Sequence, residues 1–244
     1  MADLTYVGFH AVFVAPPLLV LASVTASTRD ETRSVVRAIP TVAILVLALA
    51  YTTPWDNYLI HRGVWWYGDG TVAGRIWLAP LEEYLFVLLQ PIVAALWLGL
   101  ISKAFREPRG TVTMSPRDRV VGVGAALAVG ALGVAMLTHA ATFYMGAILS
   151  WAAPVLALQW AVGWRQLLAR WRLLVVGVAA PALYFAVADR IAIEYGIWTI
   201  AGEYTTGLTI GGLPIEEGLF FLVTTLFVVQ GLVLYPWVID RWRA

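Results

Sequence analysis

Apolar residues along this chain fall into long uninterrupted runs. Residues 4–28 and 38–55 contain no Asp, Glu, Lys or Arg. The run 76–102 is broken only by Glu82 and Glu83, and the run 204–239 only by Glu216 and Glu217. Residues 120–164 form 45 uncharged positions, enough for two crossings with a break near Thr138–His139. The run 173–188 is shorter and extends through the turn that follows. A helix needs about 20 mostly apolar residues to cross the hydrocarbon core. The pattern therefore predicts an all-α integral membrane protein of seven transmembrane helices, a single domain over residues 1–244.

Composition sharpens this picture. The chain is 61% hydrophobic and 13% charged, against about 45–50% and about 25% for an average soluble domain. A net charge of +1 argues against nucleic acid held by bulk electrostatics. The absence of cysteine excludes disulfides, thiolate nucleophiles and cysteine-ligated metals. Basic residues then set the orientation. With the N-terminus outside, the inner loops carry Arg29, Arg33, Arg37, Lys103, Arg106, Arg109, Arg117, Arg119, Arg165, Arg170 and Arg172, and the C-terminal tail Arg241 and Arg243. Only Arg62, Arg75 and Arg190 fall outside. The expectation is a multi-pass protein of the cytoplasmic membrane, N-terminus out and C-terminus in. No Lys or Arg precedes the first run, so it is read as a span rather than a cleaved leader.

Two segments are alike. Asp56, Gly63 and Trp65 precede Pro80-Leu81-Glu82-Glu83, and Asp189, Gly196 and Trp198 precede Pro214-Ile215-Glu216-Glu217. Asp to Gly is seven residues in both, Gly to Trp is two, and the copies are offset by 133 or 134. Both segments start inside, turn outside and return, which predicts a parallel tandem repeat of the 3+1+3 kind. Residues 1–102 form one three-helix unit, 120–138 a linker helix and 140–244 the second unit. Parallel repeats are an established membrane architecture with sites at the repeat interface.

Intramembrane acids are costly and face a bundle interior or a cavity. Glu82, Glu83, Glu216 and Glu217 are expected one to two turns into their spans. Adjacent helical residues point about 100° apart, so each pair sends one carboxyl inward. Pro80 and Pro214 also fit a plainer role, because proline and acids both favour a first helical turn. Asp56 and Asp189 are expected at the outer turns, as caps or as direct participants. The aromatic residues Trp65, Trp66, Tyr84, Phe86, Trp198 and Phe220 crowd the same region, partly as interface anchors. In a dry pocket a carboxylic acid keeps its proton and can donate it, and surrounding π faces stabilise a cation.

The doubled Pro-x-Glu-Glu motif, each copy preceded by an Asp…Gly-x-Trp element, resembles the membrane-integral carotenoid (lycopene) cyclases of actinobacteria, archaea and fungi. The likeness covers nearly the whole chain and is closest to the archaeal single-chain form, in which two three-span halves are fused. It implies an isomerase, a lycopene beta-cyclase. A buried acid protonates the terminal double bond of lycopene, the tertiary cation closes a six-membered ring, and loss of a proton leaves a β-ring. Repetition at the other end takes gamma-carotene to beta-carotene. The resemblance implies that the donor and base come from Glu82, Glu83, Glu216, Glu217, Asp56 and Asp189. It implies no cofactor and no metal. The partners it implies are lycopene, membrane lipid and other membrane enzymes of carotenoid biosynthesis. Tyr84 in the first motif is replaced by Gly218 in the second, so the halves need not be chemically equivalent. A single composite site drawing on both halves is preferred.

Other membrane classes fit less well. Retinal would need a lysine in the last span, and the only lysine is Lys103. Gly122-Val123-Gly124 lacks the rest of a dinucleotide fingerprint and is read as close helix packing. His10, His61 and His139 show no metal-ligand spacing. The main rival is a proton-coupled transporter of a small substrate, since intramembrane acids also relay protons.

Overall fold

A computed structural model describes residues 4–27, 38–105 and 112–243, with side chains as far as Ile239. Arg29, Arg33, Arg37, Arg106 and Arg109, which contribute to the expected orientation, lie outside the described residues, as do the side chains of Arg241 and Arg243. Among the described residues seven helices are long and apolar enough to cross a membrane. They are α1 (Tyr6–Ser27), α2 (Ala38–His61), α3 (Leu81–Ser102), α4 (Pro116–Met136), α5 (Phe143–Ala169), α6 (Trp171–Glu194) and α7 (Ile215–Arg243).

The helix ends depart from the charge-free runs for identifiable reasons. Arg117, Asp118 and Arg119 belong to α4, not to a loop. Ser115 and Asp118 form a reciprocal capping box that starts this helix, with Pro116 in its first turn. At the end that bears the repeated motifs, α2 continues past Asp56 to His61 and α6 past Asp189 to Glu194. The charges that end the apolar runs are therefore inside helices. Conversely, α3 and α7 begin later than the runs suggest, because the residues before them fold as short strands.

Those strands are β1 (Trp65–Tyr67), β2 (Arg75–Ile76), β3 (Ala79–Pro80), β4 (Trp198–Ile200), β5 (Thr209–Ile210) and β6 (Leu213–Pro214). β2 pairs with β3 and β5 with β6 as hairpins leading into α3 and α7. β1 and β4 pair antiparallel across the molecule, Trp65 opposite Ile200 and Tyr67 opposite Trp198. Together the two strand-bearing segments cover the end of the bundle at which α1, α3, α5 and α7 start.

α4 packs along α5 on glycine. A side chain at Gly122 would meet the Trp160 carbonyl at 2.7 Å, and one at Gly130 the Ala153 side chain at 2.7 Å. Gly133 lies against the Ser150 backbone. Gly124 has open space around it, so the close-packing reading holds for Gly122 alone of that pair. In α1, Pro16 and Pro17 cannot donate to the preceding turn, and a π-helical turn over His10–Val14 precedes them. The Phe13 carbonyl that Pro17 leaves without its helical donor accepts from the Tyr184 hydroxyl of α6 at 2.8 Å.

Candidate active site

The repeated Asp…Gly-x-Trp spacing has a direct structural meaning. Gly63 (φ 72°) and Gly196 (φ 69°) adopt the left-handed conformation that ends α2 and α6. Each helix closes on a pair of bonds, Gly63 N to Ile60 O and Val64 N to Leu59 O, and Gly196 N to Ile193 O and Ile197 N to Ala192 O. Seven residues before the glycine puts each aspartate about two turns below the helix end. Two residues after it puts Trp65 and Trp198 on the buried face of β1 and β4. Asp56 and Asp189 are thus not at outer turns. They lie within helices, 4% and 2% exposed.

The glutamates split by position within each pair. Glu82 and Glu216 turn toward the covering segments, where Glu82 Oε1 accepts from the Ala73 amide and Glu216 Oε1 from the Thr206 amide, both at 2.7 Å. Glu83 and Glu217 face a cavity of about 50 Å³ that Asp56 and Asp189 also line. All four sit in the first turn of α3 or α7. Their burial comes from the segments folded over that end rather than from depth along a span, which corrects the expected one to two turns.

The cavity carboxyls are held by phenols and indoles. Glu83 Oε2 accepts from the hydroxyls of Tyr6 at 2.7 Å and Tyr67 at 3.0 Å. Tyr67 in turn accepts from Trp65 Nε1 at 3.2 Å. In the other half, Trp198 Nε1 donates directly to Asp189 Oδ1 at 2.9 Å, and the Tyr144 hydroxyl faces Glu217. Tyr67 is opposed across the sheet by Trp198, and its counterpart at the repeat offset is Ile200, so only the first half carries a phenol there. Burial first, and then the neighbouring Glu83 and Asp56, push the Tyr67 phenol well above its ordinary value. It therefore stays a hydrogen-bond donor. Among the described residues, Asp189 Oδ2 and Glu217 Oε1 are buried without a hydrogen-bond partner.

The remaining wall is aromatic: Phe9, Trp55, Phe86, Phe220 and Phe221 join Trp65 and Trp198. Trp55 and Phe220 stack at 5.8 Å with their planes 4° apart. Of the aromatic residues expected to line the site, Trp65, Phe86, Trp198 and Phe220 do so. Trp66 does not, because on strand β1 it alternates to the outer face and is 50% exposed. Tyr84 does not either. Its hydroxyl donates to the Ile76 carbonyl at 2.7 Å and accepts from Asn57 at 3.3 Å, tying α2, α3 and the first hairpin together outside the cavity. Sequence reasoning missed Tyr6 and Tyr144. They share one local feature: Tyr6-Val7-Gly8 and Tyr144-Met145-Gly146 stand at the starts of α1 and α5.

The arrangement combines hydrogen-bonded acids with a largely aromatic wall, a setting for proton transfer to and from an apolar molecule. A family model described as lycopene cyclase matches residues 3–100 and 137–235. A lycopene beta-cyclase of Halobacterium salinarum is 54% identical over 241 residues, covering 98% of this chain and 99% of the relative. A bifunctional lycopene cyclase/phytoene synthase of Phycomyces blakesleeanus is 30% identical, over 90% of this chain and 37% of that longer protein. No solved structure matches. Matched along most of its length, and with buried acids gathered from both halves, this chain belongs to the lycopene cyclase family.

Proposed function

We propose that the chain is a lycopene beta-cyclase working at one composite site, the cavity shared by Asp56, Glu83, Asp189 and Glu217. The observation that carries this reading is that four carboxyl groups from two helix pairs meet one aromatic cavity. A proton passes from a carboxyl to the terminal double bond of lycopene, giving a tertiary cation. The next double bond attacks it and closes the six-membered ring, and a ring proton is lost to a second carboxylate. Atoms and electrons balance within the substrate, so the reaction is an isomerisation. The Trp and Phe faces stabilise the cation, by about 2 kcal/mol or more for a desolvated contact.

Glu83 is the proton acceptor in this reading, because two phenols already donate to one of its oxygens. The donor comes from Glu217 and Asp189, the carboxyls of the second half that line the cavity. Glu82 and Glu216 position the covering segments. The two halves act as a tandem repeat, a reading supported by the family model matching two separate stretches and by the matched Glu82–Ala73 and Glu216–Thr206 bonds. The cavity faces the outside of the cytoplasmic membrane, with the N-terminus out. Supporting that orientation, Lys103, Arg119, Arg165, Arg170 and Arg172 all stand at the opposite end of the bundle.

Pigment extracted from a lycopene-accumulating bacterial host tests the function. Wild type converts lycopene to monocyclic and then bicyclic carotene, whereas Glu83→Gln and Glu217→Gln lose the conversion. Unchanged lycopene in membranes containing folded wild-type protein would return the proton-coupled carrier as the reading to test.

A further inference from the structure

Below the carboxylate cavity lies a second, larger space. It measures about 560 Å³ and is walled by α2, α3, α5 and α7. Its lining is almost wholly apolar, and Phe86 and Phe220 belong to both spaces. Along α7 it runs from Phe220 to Val238, about 27 Å at 1.5 Å per residue.

This space is open to the side. α2 and α5 are tied near the cavity by two hydrogen bonds, Tyr51 hydroxyl to the Trp151 carbonyl at 2.8 Å and Trp55 Nε1 to the Ala147 carbonyl at 3.3 Å. Further from the cavity, Leu47 of α2 and Leu158 of α5 both line the groove and are 66% and 67% exposed, so they form an apolar rim to it. At the cavity end, Trp151, Trp55 and Phe220 present roughly parallel faces, with Trp55 stacked on Trp151 at 4.8 Å and 25°. The aromatic and aliphatic lining suits a conjugated hydrocarbon chain, whereas a polar solute finds little to bind.

We propose that the groove between α2 and α5 is the polyene channel. The substrate enters sideways from the bilayer, its leading end reaches the carboxylates past Phe86 and Phe220, and the conjugated chain behind lies along α7. The wall that the groove shares with the cavity at Phe86 and Phe220, its length and its exposed rim select this occupant over a bulk lipid, which has no reason to reach the acids. Gly231 lines the groove, and a side chain there would meet Ile44 at 3.3 Å and the Gln159 amide at 3.6 Å, so a larger residue would crowd the groove. Ala48 is the corresponding small residue on the α2 wall. This inference rests on the cyclase reading for the identity of the polyene, although binding can be tested without turnover.

The test uses purified full-length protein carrying Glu217→Gln, which is expected to hold lycopene without converting it. Lycopene fixed in an asymmetric site acquires a visible circular dichroism band that free pigment lacks. Adding Gly231→Leu or Ala48→Phe should weaken that band at least tenfold. In the otherwise wild-type chain the same substitutions should lower conversion of lycopene by a similar factor. Leu183→Phe, on an outward face of α6 that is 66% exposed, should leave both readouts unchanged. Two independent wall variants guard against one of them failing to fold. Bands and conversion equal to wild type in both folded variants would overturn the channel, as would equal losses in Leu183→Phe. A wild-type chain that shows the band but never cyclises lycopene would refute the cyclase reading and leave the channel standing.

Discussion

The division of labour within each glutamate pair can be tested at Glu216 and Glu217, adjacent residues with different surroundings. Glu216 is fully buried, and its Oε1 holds the Thr206 amide at 2.7 Å. Glutamine keeps a carbonyl oxygen at that position, so Glu216→Gln retains the acceptor of that bond and should cost no more than the worth of one hydrogen bond, about 0.5–1.5 kcal/mol. Alanine leaves the amide without its partner and opens a void, at a cost of about 2–4 kcal/mol. Glu217→Gln keeps the shape of the cavity wall but removes a group placed for proton transfer, worth about 10²–10⁴-fold in rate. The assay is the carotene composition of the lycopene-producing host, normalised to folded protein by size-exclusion chromatography in detergent. Glu216→Gln should retain most of the conversion, Glu216→Ala should fall with the amount of folded protein, and Glu217→Gln should fold normally and convert little. If folded Glu216→Gln were as inactive as Glu217→Gln, the structural role assigned to Glu216, and by analogy to Glu82, would be wrong.

Further outcomes follow from the same geometry. Tyr67→Phe removes the bond to Glu83 and strands the Trp65 indole, so conversion per folded protein should drop about tenfold or more, corresponding to at least about 1.4 kcal/mol. Because the folded-state phenol of Tyr67 is raised, the unfolded chain releases that proton first. Its contribution to stability is therefore unaffected below about pH 10, the ordinary tyrosine range, and falls above it. Thermal unfolding in detergent should show a shallower alkaline loss in Tyr67→Phe than in wild type. Trp198→Phe deprives Asp189 of its indole donor and should cost about 1–3 kcal/mol, read as a lower unfolding temperature together with reduced conversion. Gly133→Val forces a side chain into the Ser150 backbone of α5 and should cost about 1–3 kcal/mol or more, visible as loss of folded protein with the ratio of monocyclic to bicyclic carotene unchanged.

The chain's own pattern determined the membrane class, the count of seven spans and the break between α4 and α5, because crossing a bilayer imposes a length and an apolarity that a linear reading can measure. It also revealed the doubled Asp…Gly-x-Trp and Pro-x-Glu-Glu elements, since their spacing reflects local geometry. The helix end at glycine, the strand that follows and the first turn of the next helix are each set by neighbours a few residues away. Tertiary structure alone decided which glutamate of each pair meets the cavity and which meets a loop amide, because that depends on how residues 62–80 and 195–214 fold back over the bundle. The aspartates look like the ends of apolar runs, and only packing against the other half reveals them as buried. Tyr6 and Tyr144 sit at unremarked helix starts, and no local rule connects either to a glutamate more than seventy residues away. Trp66 and Tyr84 show the converse: an aromatic residue beside a motif faces wherever strand alternation or a hydroxyl's partner directs it, and that direction exists only once the elements have met.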